Sequence, residues 1–178
     1  MATSAKEAQW VLKAQCDDRE ALELLLRSVQ PSLHRYVSGL VGSPHADDVL
    51  QEVLMTVYRK LRLLHTPELF RPWAYRVASR IAFRYLRRDR RWPEQLADGS
   101  LVEDRLPAPE VPPAERLREL LNLNCISPAS RAVLALHFQE ELPLQEVAAI
   151  LEIPLGTVKS RLAYGLSAIR KQLRTNKE

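Results

Sequence analysis

Residues 143–162 read Pro143-Leu-Gln-Glu-Val-Ala-Ala-Ile-Leu151-Glu-Ile-Pro-Leu-Gly156-Thr-Val-Lys-Ser-Arg161-Leu162, and their periodicity decides the fold class. Leu144, Val147, Ala148 and Leu151 recur at the spacing of a short helix with one apolar face. Glu152 to Gly156 supplies a breaker stretch. Thr157 can cap the helix that follows, which runs to about Leu173. In that second helix Val158, Leu162, Gly165, Leu166, Ile169 and Leu173 form the inward stripe. Thr157, Ser160, Tyr164, Ser167 and Lys171 face outward, with Lys159, Arg170 and Arg174 on one flank and Arg161 on the other. Small polar side chains at the start of a helix, ringed by cations, suit insertion into the major groove of duplex DNA. The plainer alternative is a helical hairpin with a basic surface.

Working outward, helices are expected near 113–123 and 128–139. Leu117, Leu120, Leu121, Val133, Leu134, Leu136 and Phe138 would form the core beneath the helix-turn-helix. Before them, five of the chain's 12 prolines fall between 93 and 113. Proline removes a backbone donor and disfavours helix in the residue before it. Residues 93–112 therefore read as an extended linker. The N-terminal stretch shows helical periods near 4–29, 31–41, 45–64 and 70–91, with Pro31 suited to a helix start and a breaker cluster from Gly39 to Pro44. The fold class is all-α. Two small helical domains, 1–92 and 113–178, are joined by an acidic, proline-rich linker.

Two helices of the first domain carry surface chemistry. In 45–64, Leu50, Val53, Leu54, Val57, Leu61 and Leu64 share the core face. Asp48, Gln51, Glu52, Met55, Arg59 and Arg62 lie opposite, and a methionine among outward charges suggests a partner surface. In 70–91, Ala74, Val77, Ala78, Ile81, Ala82 and Tyr85 should face the core. Arg76, Arg80, Arg84, Arg87, Arg88 and Arg91 line another face, with Trp73 at its N-terminal end. Few acids stand near them in sequence, so a phosphate backbone is the natural counterion. An aromatic ring beside arginines can stack unpaired bases. The alternative is that Trp73 packs beneath the preceding loop.

Composition excludes much else. Among 178 residues only five are glycine, and no three of them have phosphate-cradling spacing. Leu, Ala, Arg and Glu dominate, as in helices. The net charge of +4 is segregated: 1–69 carries −1, 70–92 carries +7, 93–153 carries −7 and 154–178 carries +5. Two basic blocks on one chain point to two anion-binding surfaces. Cys16 and Cys125 form neither a disulfide framework nor a metal signature, and are expected to pack as small apolar side chains in a reducing compartment. His34, His45, His65 and His137 share no ligand spacing, and no nucleophile–base pair stands out. No metal, cofactor or catalytic residue is expected. No apolar run approaches the ~20 residues of a membrane span, and the polar start lacks a signal-peptide core, so a cytoplasmic place is expected.

Three stretches then become recognisable together. The run from Asp47 to Leu61 resembles the polymerase-binding helix of bacterial extracytoplasmic-function (ECF) sigma factors. Phe70 to Arg88 resembles their promoter-melting helix, and Pro143 to Leu162 their terminal helix-turn-helix. The resemblance covers nearly the whole chain, in order. It implies a non-enzymatic protein that binds core RNA polymerase, directs it to promoter DNA and opens the duplex. By that resemblance Asp48, Gln51, Glu52, Met55 and Arg59 meet polymerase. His65, Thr66, Phe70, Trp73, Arg76, Arg80, Arg84, Arg87 and Arg88 engage the −10 element. Thr157, Lys159, Ser160, Arg161 and Tyr164 read the −35 element. The linker's acids thread the polymerase channels, and many members are held inactive by an anti-sigma factor. Arg80 and Arg84 stand where the family often has smaller polar residues, and Glu152 where its turn commonly has glycine. Two other readings stay open: a dimeric helix-turn-helix regulator acting on duplex operators without polymerase, and an interaction module that sequesters a transcription protein. Size-exclusion with core polymerase separates them.

Overall fold

The computed structural model describes residues 2–89 and 126–175, with side chains at 5–89 and 126–174. The expected linker 93–112, the helix near 113–123 with Leu117, Leu120 and Leu121, and also Arg91 and Cys125, lie outside the described residues. Contacts divide the chain into two compact units, Met1–Tyr85 and Leu86–Glu178. All regular structure among the described residues is helical.

The first helices are α1, Ala2–Gln15, and α2, Arg19–Val41. The single helix expected over 4–29 is thus two, and the next does not begin at Pro31. The break falls where two acids meet. Asp17 adopts φ 68°, a left-handed conformation that aspartate tolerates better than most residues. Asp18 caps α2, its Oδ1 accepting the Ala21 N–H at 3.0 Å. Pro31 lies inside α2. Its missing donor is tolerated because Leu25, Val29 and Leu33 on the same helix are fully buried, and such side chains contribute roughly 1.5–3 kcal/mol each. Cys16, expected to be packed, is exposed at this break.

Gly42, at φ 86°, separates α2 from α3, Ser43–Lys60, which has Pro44 in its first turn. The helix does not continue to 64. Two 3-10 turns follow, Leu61–Leu63 and Pro67–Leu69, before α4, Phe70–Arg88. The core holds Val49, Leu50, Val53 and Val57 of α3 with Ala74, Val77, Ala78, Ile81 and Ala82 of α4. Leu54 and Tyr85, expected with them, are half-buried. Tyr36 and Tyr75 meet edge to face at 5.3 Å, and the Tyr36 hydroxyl hydrogen-bonds Ser79 Oγ at 2.7 Å, which gives a fully buried phenol its partner.

In the second unit Ser127 caps α5, Pro128–Leu134, by accepting the Ser130 N–H at 3.2 Å. The helix expected over 128–139 passes into a π-helical turn, Ala135–Gln139, and Phe138 is half-buried rather than enclosed. Next come α6, Leu144–Leu151, and α7, Leu155–Thr175. The turn between them is made by Glu152 in the left-handed region, at φ 56°. That geometry explains why a small residue suits the position. Thr157 is inside α7, not its cap, because the Val158 N–H already bonds the Pro154 carbonyl at 3.1 Å.

Gly165 of α7 is where α5 approaches. A Cβ there would stand 2.7 Å from Leu134 Cδ1 and 3.3 Å from Ser130 Cβ, and Leu134 is fully enclosed. Gly165→Val is expected to destabilise this unit by about 1–3 kcal/mol through overpacking. Gly39 of α2 has nothing within 4 Å of its Cβ direction, so Gly39→Ala should hold or raise stability by up to ~1 kcal/mol. Thermal unfolding of the two variants checks both signs.

Candidate functional site

The α3 surface follows from its inward stripe. With Ala46, Val49, Leu50, Val53 and Val57 turned in, Asp48, Gln51, Glu52, Met55 and Arg59 are all exposed, as their spacing predicts. Met55 is 45% exposed and Tyr58 55%. With Leu26, Leu50 and Leu54 these two side chains line an open groove between α2 and α3. Tyr58 is a member of this surface that the sequence pattern does not single out. Its signal was available, because it stands one turn beyond Met55 on the outward side. His34 Nε2 lies 3.2 Å from Asp47 Oδ1 between the same helices.

On α4, Arg80, Arg84, Arg87 and Arg88 are exposed and Arg76 is half-buried. The expectation that few acids stand near these arginines needs correction at Arg84, and Arg71 of the same basic block is also paired, in both cases with an acid distant in sequence. Arg71 is held by Glu7 of α1 through three contacts, Nε to Oε2 at 2.8 Å, Nε to Oε1 at 3.1 Å and Nη2 to Oε1 at 2.6 Å. Ser28 Oγ donates to the same carboxylate at 3.1 Å. Arg84 Nη2 pairs with Glu52 Oε1, so a residue of the α3 surface and one of the arginine row hold each other.

The loop before α4 leaves His65 and Thr66 exposed. Phe70, expected among the DNA-contacting residues, is only 1% exposed. It anchors the loop in the core and cannot present its ring to a base there. Trp73 is half-buried, its ring 6.3 Å from Phe70 and inclined at 41°. It therefore has a supporting aromatic on one side and solvent access besides, an arrangement between the two readings open from sequence.

On α7, Lys159, Ser160 and Tyr164 are exposed, Tyr164 by 61%, while Thr157 and Arg161 are half-buried. Ser160 Oγ donates to the Thr157 carbonyl at 3.0 Å. Burial pushes the Arg161 guanidinium pKa down from its ordinary value. Among the described residues no group of three His, Cys, Asp or Glu is arranged to hold a metal ion.

The Glu52–Arg84 pair generates a prediction. Both side chains are about half exposed, 54% and 48%, so their attraction amounts to ~0–1 kcal/mol. Glu52→Gln should release Arg84 to an external phosphate. The chain should then bind a single-stranded oligonucleotide more tightly, and the slope of log affinity against log salt should steepen by about 0.7. A slope equal to wild type in a fluorescence-anisotropy titration would show that Arg84 gains no phosphate contact.

Two family profiles match this chain. Sigma-70 region 2 matches residues 25–92, and Sigma-70, region 4 matches residues 123–171. ECF RNA polymerase sigma factor SigW of Bacillus subtilis (strain 168) is 27% identical over 174 aligned residues, covering 88% of this chain and 91% of its own. The ECF RNA polymerase sigma-E factor of Escherichia coli (strain K12) is 28% identical over 171, covering 89% and 90%. Among solved structures, CnrH in complex with the cytosolic domain of CnrY superposes with a TM-score of 0.68 at 17% identity, covering 96% of this chain and 98% of that one. The sigma factor RpoE in complex with the anti-sigma factor NepR from Bartonella quintana superposes with a TM-score of 0.63 at 23% identity, covering 85% and 96%. The chain shares the fold of both.

Proposed function

This chain belongs to the sigma-70 family as an ECF sigma factor, and on that premise we propose how its surfaces divide the work of promoter-directed initiation. It binds core RNA polymerase, directs it to promoter DNA and opens the duplex around the −10 element. The observation that carries the reading is the order of the two profiles along one chain, region 2 on the unit with the α3 and α4 faces and region 4 on the helix-turn-helix. The dimeric-regulator alternative draws no support from these matches. The protein makes and breaks no bonds itself; polymerase supplies the chemistry. Cytoplasmic location belongs to the same proposal, because polymerase transcribes there.

In this reading residues 1–92 bind polymerase and the −10 element, 93–112 connect, and 113–178 read the −35 element. Asp48, Gln51, Glu52, Met55 and Arg59 form the polymerase face. What supports this is an exposed, mixed surface, one member of which, Glu52, also pairs with Arg84. Trp73 and the loop with His65 and Thr66 take unpaired bases, and Arg76, Arg80, Arg84, Arg87 and Arg88 carry backbone phosphates. Unstacking costs a few kcal/mol per base step, and stacking returns roughly 1–3 kcal/mol per base. Lys159, Ser160 and Tyr164, with Thr157 and Arg161 at their margin, face duplex DNA. An anti-sigma partner of the kind seen with RpoE of Bartonella quintana is part of the proposal. The α2–α3 groove and the polymerase face are open to one.

Asp48→Arg combined with Glu52→Arg should weaken binding to core polymerase at least tenfold while leaving the thermal midpoint nearly unchanged, because both side chains are exposed. Equal affinity of the double variant in a core-binding titration sinks the assignment of this face. Trp73→Ala should slow open-complex formation on duplex promoters by about 5- to 150-fold, the equivalent of one stacked base. The defect should shrink on templates already mismatched around −10. A defect of the same size on both templates would make the ring a structural element of the core.

A further inference from the structure

We propose that α1 positions the base-reading loop for −10 discrimination, and that Gln15 is the residue through which it acts. The inference rests on the assignment of the loop with His65 and Thr66, and of Trp73, to the −10 element.

The segment between α3 and α4 has no helix ladder of its own beyond two 3-10 turns. Leu64 and Phe70 point inward, whereas His65, Thr66, Glu68 and Leu69 are exposed. Its backbone is held from outside. Helix α1 packs against both 3-10 turns. The Gln15 amide donates to the Leu61 carbonyl at 2.9 Å and to the Leu64 carbonyl at 2.8 Å, so one Nε2 brackets the first turn. At the loop's other end Arg71 is gripped by Glu7. Glu7 and Gln15 are about 12 Å apart along α1, at 1.5 Å rise per residue. Val11, midway between them, is fully buried. One helix therefore holds both ends of the segment, Gln15 by bonds to its backbone carbonyls and Glu7 through the Arg71 side chain just beyond it.

Base capture needs that precision, since a displacement of about 1 Å can remove the gain from a well-placed contact. Neither Glu7 nor Gln15 touches the proposed bases. Both lie outside the two matched profiles, which begin at residue 25. Gln15 is a positioning residue, and its two bonds span 46 and 49 residues of sequence.

The test uses holoenzyme assembled from core polymerase and the full chain. Its promoter is defined by sequencing the 5′ ends of RNA that wild-type holoenzyme makes on genomic DNA. Open-complex formation is measured there and on single-base variants of the −10 and −35 elements, for wild type, Gln15→Met and Val29→Ala. Methionine keeps the side-chain length without the donors. Val29 is fully buried in α2 and reports a general loss of stability. Gln15→Met is expected to lower −10 discrimination about fivefold, the equivalent of one net hydrogen bond, with −35 discrimination and core affinity unchanged. Val29→Ala is expected to keep both ratios. Wild-type −10 discrimination in Gln15→Met overturns the proposal, as does an equal loss in Val29→Ala. A wild-type chain that starts no specific RNA overturns the functional premise, and the proposal with it.

Discussion

Glu7 carries a carboxylate on a side chain only 3% exposed, and a charge at that depth must be paired. Its partner is the Arg71 guanidinium, 34% exposed and docked on both carboxylate oxygens. Ser28 adds a third element, its hydroxyl on Glu7 and its carbonyl 3.4 Å from Arg71 Nη2. One ionic cluster thus joins α1, α2 and the start of α4. Replacing such a pair by apolar residues can be neutral, but removing one partner strands the other, at a cost of about 3–5 kcal/mol. The pair therefore specifies arrangement more than it adds stability. Any other docking of α1 leaves a carboxylate buried without its cation.

With α1 and α4 set in this way, the outer surfaces follow from what packing leaves over. The buried residues of α3 and α4 include many small and β-branched ones, Ala46, Val49, Val53 and Val57 on α3 and Ala74, Val77, Ala78 and Ala82 on α4. Their long polar neighbours are left outside. The arginines of α4 emerge on a surface that borders the acids of α3, and Glu52–Arg84 is the point where the two meet. On the proposed assignment, polymerase contact at Glu52 and phosphate contact at Arg84 would compete with that pair. The competition is small in energy because both groups are wet.

The second unit solves a different problem, that of turning sharply between α6 and α7 while keeping α7 close to α5. Glu152 makes the turn in a conformation costing a non-glycine residue roughly 1–2 kcal/mol. Gly165 makes the close approach, since only a hydrogen fits against Leu134. Both features orient α7 so that Lys159, Ser160 and Tyr164 project outward together.

Periodicity alone settled the helical class, the helix-turn-helix and the exposure of Asp48, Gln51, Glu52, Met55 and Lys159, and most of the inward stripes, although Leu144, Ala148, Leu151, Leu162 and Leu173 are half-buried and Ile150, not named with them, is buried. A helix repeats every 3.6 residues, so a face is written locally in the chain. The same logic failed wherever a partner lay far away in sequence. Nothing near Arg71 announced Glu7, so it was counted in the basic block although it is held in a buried pair. Nothing near Arg84 announced Glu52. The family resemblance placed Phe70 among the DNA-contacting residues, and the packing of its neighbours makes it core instead. Pro31 read as a helix start, yet the burial of Val29 and Leu33 carried α2 straight through it. Gln15 carried no signal at all, because an amide becomes informative only when two carbonyls some 46 and 49 residues away are brought to it. Local spacing determines which side of a helix is apolar; only the assembled structure decides which charges and amides find each other.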